Sequence, residues 1–289
     1  MPFRNCIRLA VLLCTLVLAT GLATATVQTI PDSALIPSTT YYTDAIGGGI
    51  GTSLTMTGGG NASNVGGIRN DDGFSGPINL GFTLNFFGVN YTQFWANNNG
   101  NISFGDGISS FTPSGPQGAS QPIISPFFAD VDTRTSPGTM TLRNDIPDEI
   151  IVTWDQVGYF DEKSDKLNSF QLVLRGPNFV IPAGEGQIGF FYKTMQWETG
   201  DASGGSSGFG GNPAAVGFGT GTGSGEVLQS SLADGISRIV NDHHIWFDVV
   251  DGVPVVSGVP EPGSVVLLAS ALIGIGLTLR KQRQNRKPL

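Results

Sequence analysis

The sequence predicts an all-β protein, an antiparallel β-sandwich or barrel-like ectodomain, on three observations. Glycine and proline are abundant, 42 and 17 among 289 residues, while only 13% of residues are charged, a balance that favours turns and short strands. Apolar side chains recur at every second position in several separate runs, the spacing that sets one face of a strand against a core. No helical periodicity separates those runs. Two apolar segments at the chain ends add an N-terminal signal peptide and one short C-terminal transmembrane helix.

Residues 1–25 read as the signal peptide. Arg4 and Arg8 precede an apolar run from Leu9 to Leu22, and Ala23 and Ala25 supply the small residues of a cleavage site. The mature chain is expected to begin at Thr26, after passage through the Sec translocon. A lipoprotein reading of Cys14 fails because Leu13 stands where a small residue is needed. Both cysteines, Cys6 and Cys14, leave with this segment, so the exported part holds together by burial rather than disulfides.

Residues 26–73, interrupted by Gly47–Gly49 and Gly58–Gly60, are expected to form an irregular lead-in with one strand at Thr39–Thr43. The glycine trios are not followed by the strand, lysine and helix of a phosphate cradle. Residues 74–250 are the β domain. Phe82, Leu84 and Phe86 alternate with Thr83 and Asn85, and Asn98-Asn99-Gly100 between Phe94–Asn97 and Asn101–Phe104 marks a tight hairpin. Further strands are expected at Ile123–Phe128, Thr139–Arg143, Glu149–Trp154, Ser169–Leu174, Gln187–Lys193, Ala214–Phe218 and Ile245–Val250. Gly219–Gly225 reads as a flexible excursion, Ile236–Val250 as strand-like, Asp161–Lys166 as a solvated turn, and residues 251–258 as a linker.

Between residues 26 and 258 stand 22 acidic and 8 basic side chains, a net charge of −14. Such a surface repels nucleic acid and anionic lipid, which excludes nucleic acid as a partner. Catalytic patterns are weak. Gly200-Asp201-Ala202-Ser203-Gly204-Gly205 differs from a serine-protease nucleophile loop by the inserted Ala202, which displaces the oxyanion-hole amides. The two histidines, His243 and His244, point to opposite faces of a strand and cannot jointly grip a metal. No residue is singled out as catalytic, and no enzyme activity is expected.

The last segment, residues 259–289, has three parts in order. Val259, Pro260, Glu261 and Pro262 form an extended patch, 264–279 is uncharged and apolar, and 280–289 carries Arg280, Lys281, Arg283, Arg286 and Lys287. Sixteen helical residues span about 24 Å, just enough for a bilayer, and the cations after them stay on the cytoplasmic side. This tripartite end resembles the PEP-CTERM sorting signal of Gram-negative bacteria. The resemblance implies an inner-membrane intermediate, processing by an exosortase-type enzyme, and association with exopolysaccharide.

The β domain carries a second resemblance. Pro126, Phe127, Phe128, Ala129, Asp130, Val131, Asp132 and Thr133 form one block, Leu167–Leu174 another, and Gln196–Gly205 with Gly208–Gly211 and Ala215–Phe218 a third. Together they resemble the nidogen-like (NIDO) extracellular domain, with Phe128 where that pattern has a tryptophan. The resemblance implies matrix structure or adhesion. If the first and third blocks are neighbours, Asp130, Asp132, Glu198 and Asp201 could collect a Ca²⁺ ion, which takes six to eight oxygens. The same carboxylates could instead accept backbone N–H bonds and cap turns. A secreted polysaccharide hydrolase with an acidic pair, and a permanently membrane-tethered binding protein, are the alternative functional readings.

Overall fold

The computed structural model describes residues 25–60 and 65–258. The signal peptide with Ala23, the Val259–Pro262 patch, the 264–279 helix and the basic tail therefore lie outside the described residues; Ala25 is exposed at their start. Among the described residues no helix is long and apolar enough to cross a membrane.

Among the described residues eighteen strands build two sheets. The first part of the chain supplies β1 (Val27–Ile30), β2 (Ile36–Pro37), the short helix α1 (Tyr42–Ile46), β3 (Thr52–Ser53) and β4 (Met56–Gly59). Then come β5 (Gly73–Ser75), β6 (Ile78–Phe86), β7 (Val89–Asn97), β8 (Asn101–Ser103), β9 (Pro122–Phe128), β10 (Val131–Asp132), β11 (Met140–Arg143) and β12 (Glu149–Tyr159). The chain continues through β13 (Lys163–Arg175), β14 (Ile188–Met195), β15 (Ala215–Thr220), β16 (Gly225–Leu228), helix α2 (Ile236–Val240), β17 (His243–Val250) and β18 (Val253–Val256).

One sheet runs β1-β16-β15-β9-β8-β7-β5-β4 with β6 on β7, and the other runs β18-β17-β14-β13-β12-β11-β3 with β10 on β12 and β2 on β17. All pairings are antiparallel except β1 with β16. The two inner faces meet in one apolar core. Phe94, Ile102, Ile124 and Phe218 of the first sheet pack with Val152, Trp154, Phe170 and Phe190 of the second. Phe218 stacks on Phe190 at 5.3 Å between centroids and meets Phe247 edge-on at 4.8 Å, the geometries that aromatic quadrupoles favour. The alternation read in the sequence is what makes this possible: Leu80, Phe82, Leu84 and Phe86 are buried while Gly81, Thr83 and Asn85 face solvent.

Five expectations are corrected. The lead-in is woven into both sheets, because its short apolar runs pair with edges that would otherwise be bare. Thr39–Thr43 is not a strand; the segment turns into α1, whose Tyr42 covers Val173, Phe191 and Trp246 on the outer face of the second sheet. Ile236–Val240 is helix α2, and the 251–258 linker contains β18, since Val253–Val256 can extend the ladder of β17. The Asp161–Lys166 turn is shorter than its charges suggested, with Lys163 already paired to Tyr159 in β13.

Candidate functional site

The first NIDO-like block lies across the asparagine hairpin that joins β7 to β8. Gly100 has φ +75, and a Cβ there would stand 1.8 Å from the Phe127 carbonyl oxygen, so only glycine lets the strands approach this closely. The Phe127 N–H donates to the Gly100 carbonyl at 3.1 Å and the Ala129 N–H to the Asn99 carbonyl at 3.2 Å. The Val131 N–H donates to Asn99 Oδ1 at 2.9 Å, and Asn98 Nδ2 donates to the Val131 carbonyl. Trp154 Nε1 closes the arrangement from the second sheet by donating to the Asn98 carbonyl at 3.1 Å. Buried polar groups satisfied this completely fix a backbone in one place.

That fixed backbone turns Asp130 inward. Asp130 is 1% exposed and neither carboxylate oxygen has a hydrogen bond of normal geometry. The third block neighbours it: a Cβ on Gly200 would lie 2.3 Å from Asp130 Oδ2, so the carboxylate occupies the space that a side chain at 200 would fill. From the opposite side come Asp71 and Asp72, which precede β5. One carboxylate oxygen from each of Asp71, Asp72 and Asp130 lies within 4.8 Å of the other two. Asp72 has φ +62, a left-handed turn that aspartate tolerates, and Asn99 Nδ2 donates to its Oδ1 at 2.7 Å.

Crowded and partly dehydrated carboxylates resist ionising. Burial, then the charges of Asp72, Asp71 and Asp132, pushes Asp130 up to about 8, against only a weak downward pull from the Ser203 backbone. Burial, then Asp132 and Asp72, raises Asp71 to about 7, and burial raises Asp72. The positive charge beside them is Arg134, and it is shared. It contacts Asp71 at 3.1 Å, Asp161 at 3.7 Å and Glu162 at 3.5 Å, and is clamped on Asp132.

The structure does not bring Asp130, Asp132, Glu198 and Asp201 together as a calcium quartet. Asp132 binds Arg134 and accepts the Glu162 N–H at 2.9 Å. Glu198 turns away to the start of α2, accepting from the Gly235 N–H at 2.8 Å, the Ser237 N–H at 3.1 Å and the Ser237 hydroxyl at 2.8 Å. Asp201 is on the surface beside Lys163. Three of the four are thus neutralised by nearer cations or donors, and Asp130 joins Asp71 and Asp72 instead. Sequence reasoning missed those two because 58 residues separate Asp72 from Asp130; the Asp-Asp-Gly turn signal at 71–73 was the available hint.

Ser203 donates to the Phe111 carbonyl at 3.4 Å, and its hydroxyl lies 2.9 Å from that of Thr112. The histidines sit on β17, where His244 stacks on Phe191 at 5.1 Å and His243 Nδ1 bonds the Asn241 carbonyl at 2.7 Å.

A two-sheet, largely antiparallel β module with a polar asparagine hairpin and a buried aspartate beside Gly200 defines the class: a β-sandwich domain. Within that class the chain belongs to the NIDO-related family, whose model matches residues 50–245. A PEP-CTERM protein-sorting motif follows at residues 258–283. The chain is similar to alpha-tectorin of mouse, 34% identical over 176 residues, which is 51% of this chain and 8% of the mouse protein. Human alpha-tectorin is 33% identical over the same coverage, and fruit-fly nidogen is 28% identical over 123 residues, 32% of this chain and 9% of that protein. The shared region is thus a small fraction of these long relatives. No solved structure matches. Family and sorting motif together mark an exported, extracellular or cell-surface protein.

Proposed function

We propose that this protein acts outside a Gram-negative cell, at the surface or within the exopolysaccharide matrix, in adhesion or matrix organisation and without bond-breaking chemistry. The observation that carries the reading is the direct succession of a NIDO-related domain ending at residue 245 and a sorting motif beginning at 258. Export through the Sec translocon delivers the chain to the inner membrane, where the 264–279 segment holds it until the exosortase-type enzyme acts near Pro260–Pro262. The acidic, cysteine-free mature part suits a soluble surface module that needs no oxidative folding step.

The hydrolase alternative draws on the raised Asp71 and Asp130 pair. Against it, both are buried, so neither carboxyl is open to a polysaccharide chain. The decisive experiment compares wild-type cells with an in-frame deletion and with a strain making the chain without residues 259–289. Surface attachment and the protein content of the matrix fraction are measured. Both mutants are expected to lose attachment or matrix retention. Unchanged attachment and matrix in the full deletion would overturn the proposal, and release of sugars from matrix polysaccharide by purified protein would favour the hydrolase.

A further inference from the structure

We propose that Asp71, Asp72 and Asp130 bind a divalent cation, calcium by its donor chemistry, which ties the turn before β5 to the strand connection between β9 and β10. The geometry fits: two oxygens on one Ca²⁺ at about 2.3–2.6 Å each cannot lie more than roughly 5 Å apart, and these three lie within 4.8 Å of one another. The donors are all carboxylate oxygens, with no sulfur or imidazole, which selects a hard cation over zinc or copper. Three protein carboxylates leave room for the waters and carbonyls that complete a calcium shell.

The second observation is independent of the clustering. Asp130 is 1% exposed, aimed into the group, and neither of its oxygens has a hydrogen bond of normal geometry; Asp71 is 8% exposed, and its Oδ1 is likewise unpartnered. A turn-capping carboxylate would look like Glu198, which accepts three hydrogen bonds. Gly200 keeps the wall beside Asp130 free of a side chain, and Asn99 orients Asp72 from behind. Asp72 is only half-buried. Arg134 does not satisfy the group, since its guanidinium is spread over Asp71, Asp132, Asp161 and Glu162.

The test is calcium titration of the full-length protein after chelator treatment, following its melting temperature and, by calorimetry, its affinity. Binding is expected at about 10⁻⁴ to 10⁻³ M, the range of extracellular modules, with a rise in Tm that Mg²⁺ at equal concentration does not match. Asp130→Asn is expected to abolish the rise while melting no lower than wild type in chelator. Asp201→Asn, outside the group, is expected to keep it. No rise in the wild type up to about 10 mM Ca²⁺, or a full rise in Asp130→Asn, would overturn the proposal. Should Asp130→Asn fail to fold, Asp72→Asn takes its place: binding at least about tenfold weaker supports the site, and unchanged affinity overturns it.

Discussion

Glu198 receives the Ser237 hydroxyl at 2.8 Å and the Ser237 backbone N–H at 3.1 Å, so the Gln196–Gly205 block is fastened to the first turn of α2. The acid does for this short helix what a capping side chain does from within, but from 39 residues away.

Glu198→Ala should therefore strand two buried N–H groups and a hydroxyl. A loss of about 2–3 kcal/mol is expected, read as a lower urea midpoint at unchanged m-value. A midpoint equal to wild type would show that the tie contributes nothing.

The buried ion pair Arg175–Glu149 makes a sharper demand. Both side chains are fully buried, Nε to Oε2 is 2.9 Å, and Tyr42 and the Gly186 carbonyl take further N–H groups of the guanidinium at 2.7 and 3.0 Å. Arg175→Met takes the guanidinium from Glu149 and leaves it the Tyr42 hydroxyl at 3.0 Å, an expected loss of about 3–5 kcal/mol. Adding Glu149→Met should restore much of that loss, because two apolar groups need no counter-charge. Strict additivity of the two losses would contradict the account.

Glycines at the block contacts are expected to be intolerant for steric reasons. Gly100→Ala meets the Phe127 carbonyl at 1.8 Å and a left-handed φ, and Gly200→Ala meets Asp130 Oδ2 at 2.3 Å. Gly100→Ala should lower Tm more than Gly200→Ala, since it adds backbone strain to a clash with a fixed carbonyl. Gly210→Ala, with open space around it but φ +75, should fall between wild type and Gly100→Ala. The reverse order in thermal melts would contradict the packing described.

Stability should also carry a pH signature from Glu226. It shares the core-facing side of β16 with Leu228, opposite Phe218, and burial raises its carboxyl from 4.5 to about 7. A folded-state pKa above the unfolded one gives stability that is full below pH 4.5 and lost as pH rises through about 7. Glu226→Gln should thus match wild type at low pH and exceed its Tm at pH 8. Parallel Tm-versus-pH curves would contradict this.

Much of the fold was legible in the residues. The expected strands match β9, β11, β14 and β15 within two residues at each end, the Phe82–Phe86 alternation marked the second half of β6, and Asn-Gly located the β7–β8 hairpin. What escaped was set by tertiary context. β12 runs past Trp154 because a bulge at Gln156, φ +46, breaks the alternation without ending the strand. The lead-in strands are two to four residues long, too short for any periodicity, and exist because sheet edges were there to receive them. At the candidate site, the sequence left open whether the two blocks are neighbours, and Asp130 is the one residue singled out there that joins the group. The fates of Asp132, Glu198 and Asp201 were not, since Arg134, Ser237 and Lys163 claim them through contacts that only the folded chain creates. Asp71 and Asp72 arrive through the bridge that pairs Asp71 with Asp132, a long-range pairing that no local pattern announces.

The most direct test of the central claim is mass spectrometry of the protein recovered from its native cells, fraction by fraction, with and without the suspected sorting enzyme. The account predicts an extracellular or surface form that starts at Thr26 and lacks residues 264–289, and a membrane-held form that keeps them when the enzyme is absent. An intact chain from Met1 to Leu289 found in the cytosol of wild-type cells would contradict it.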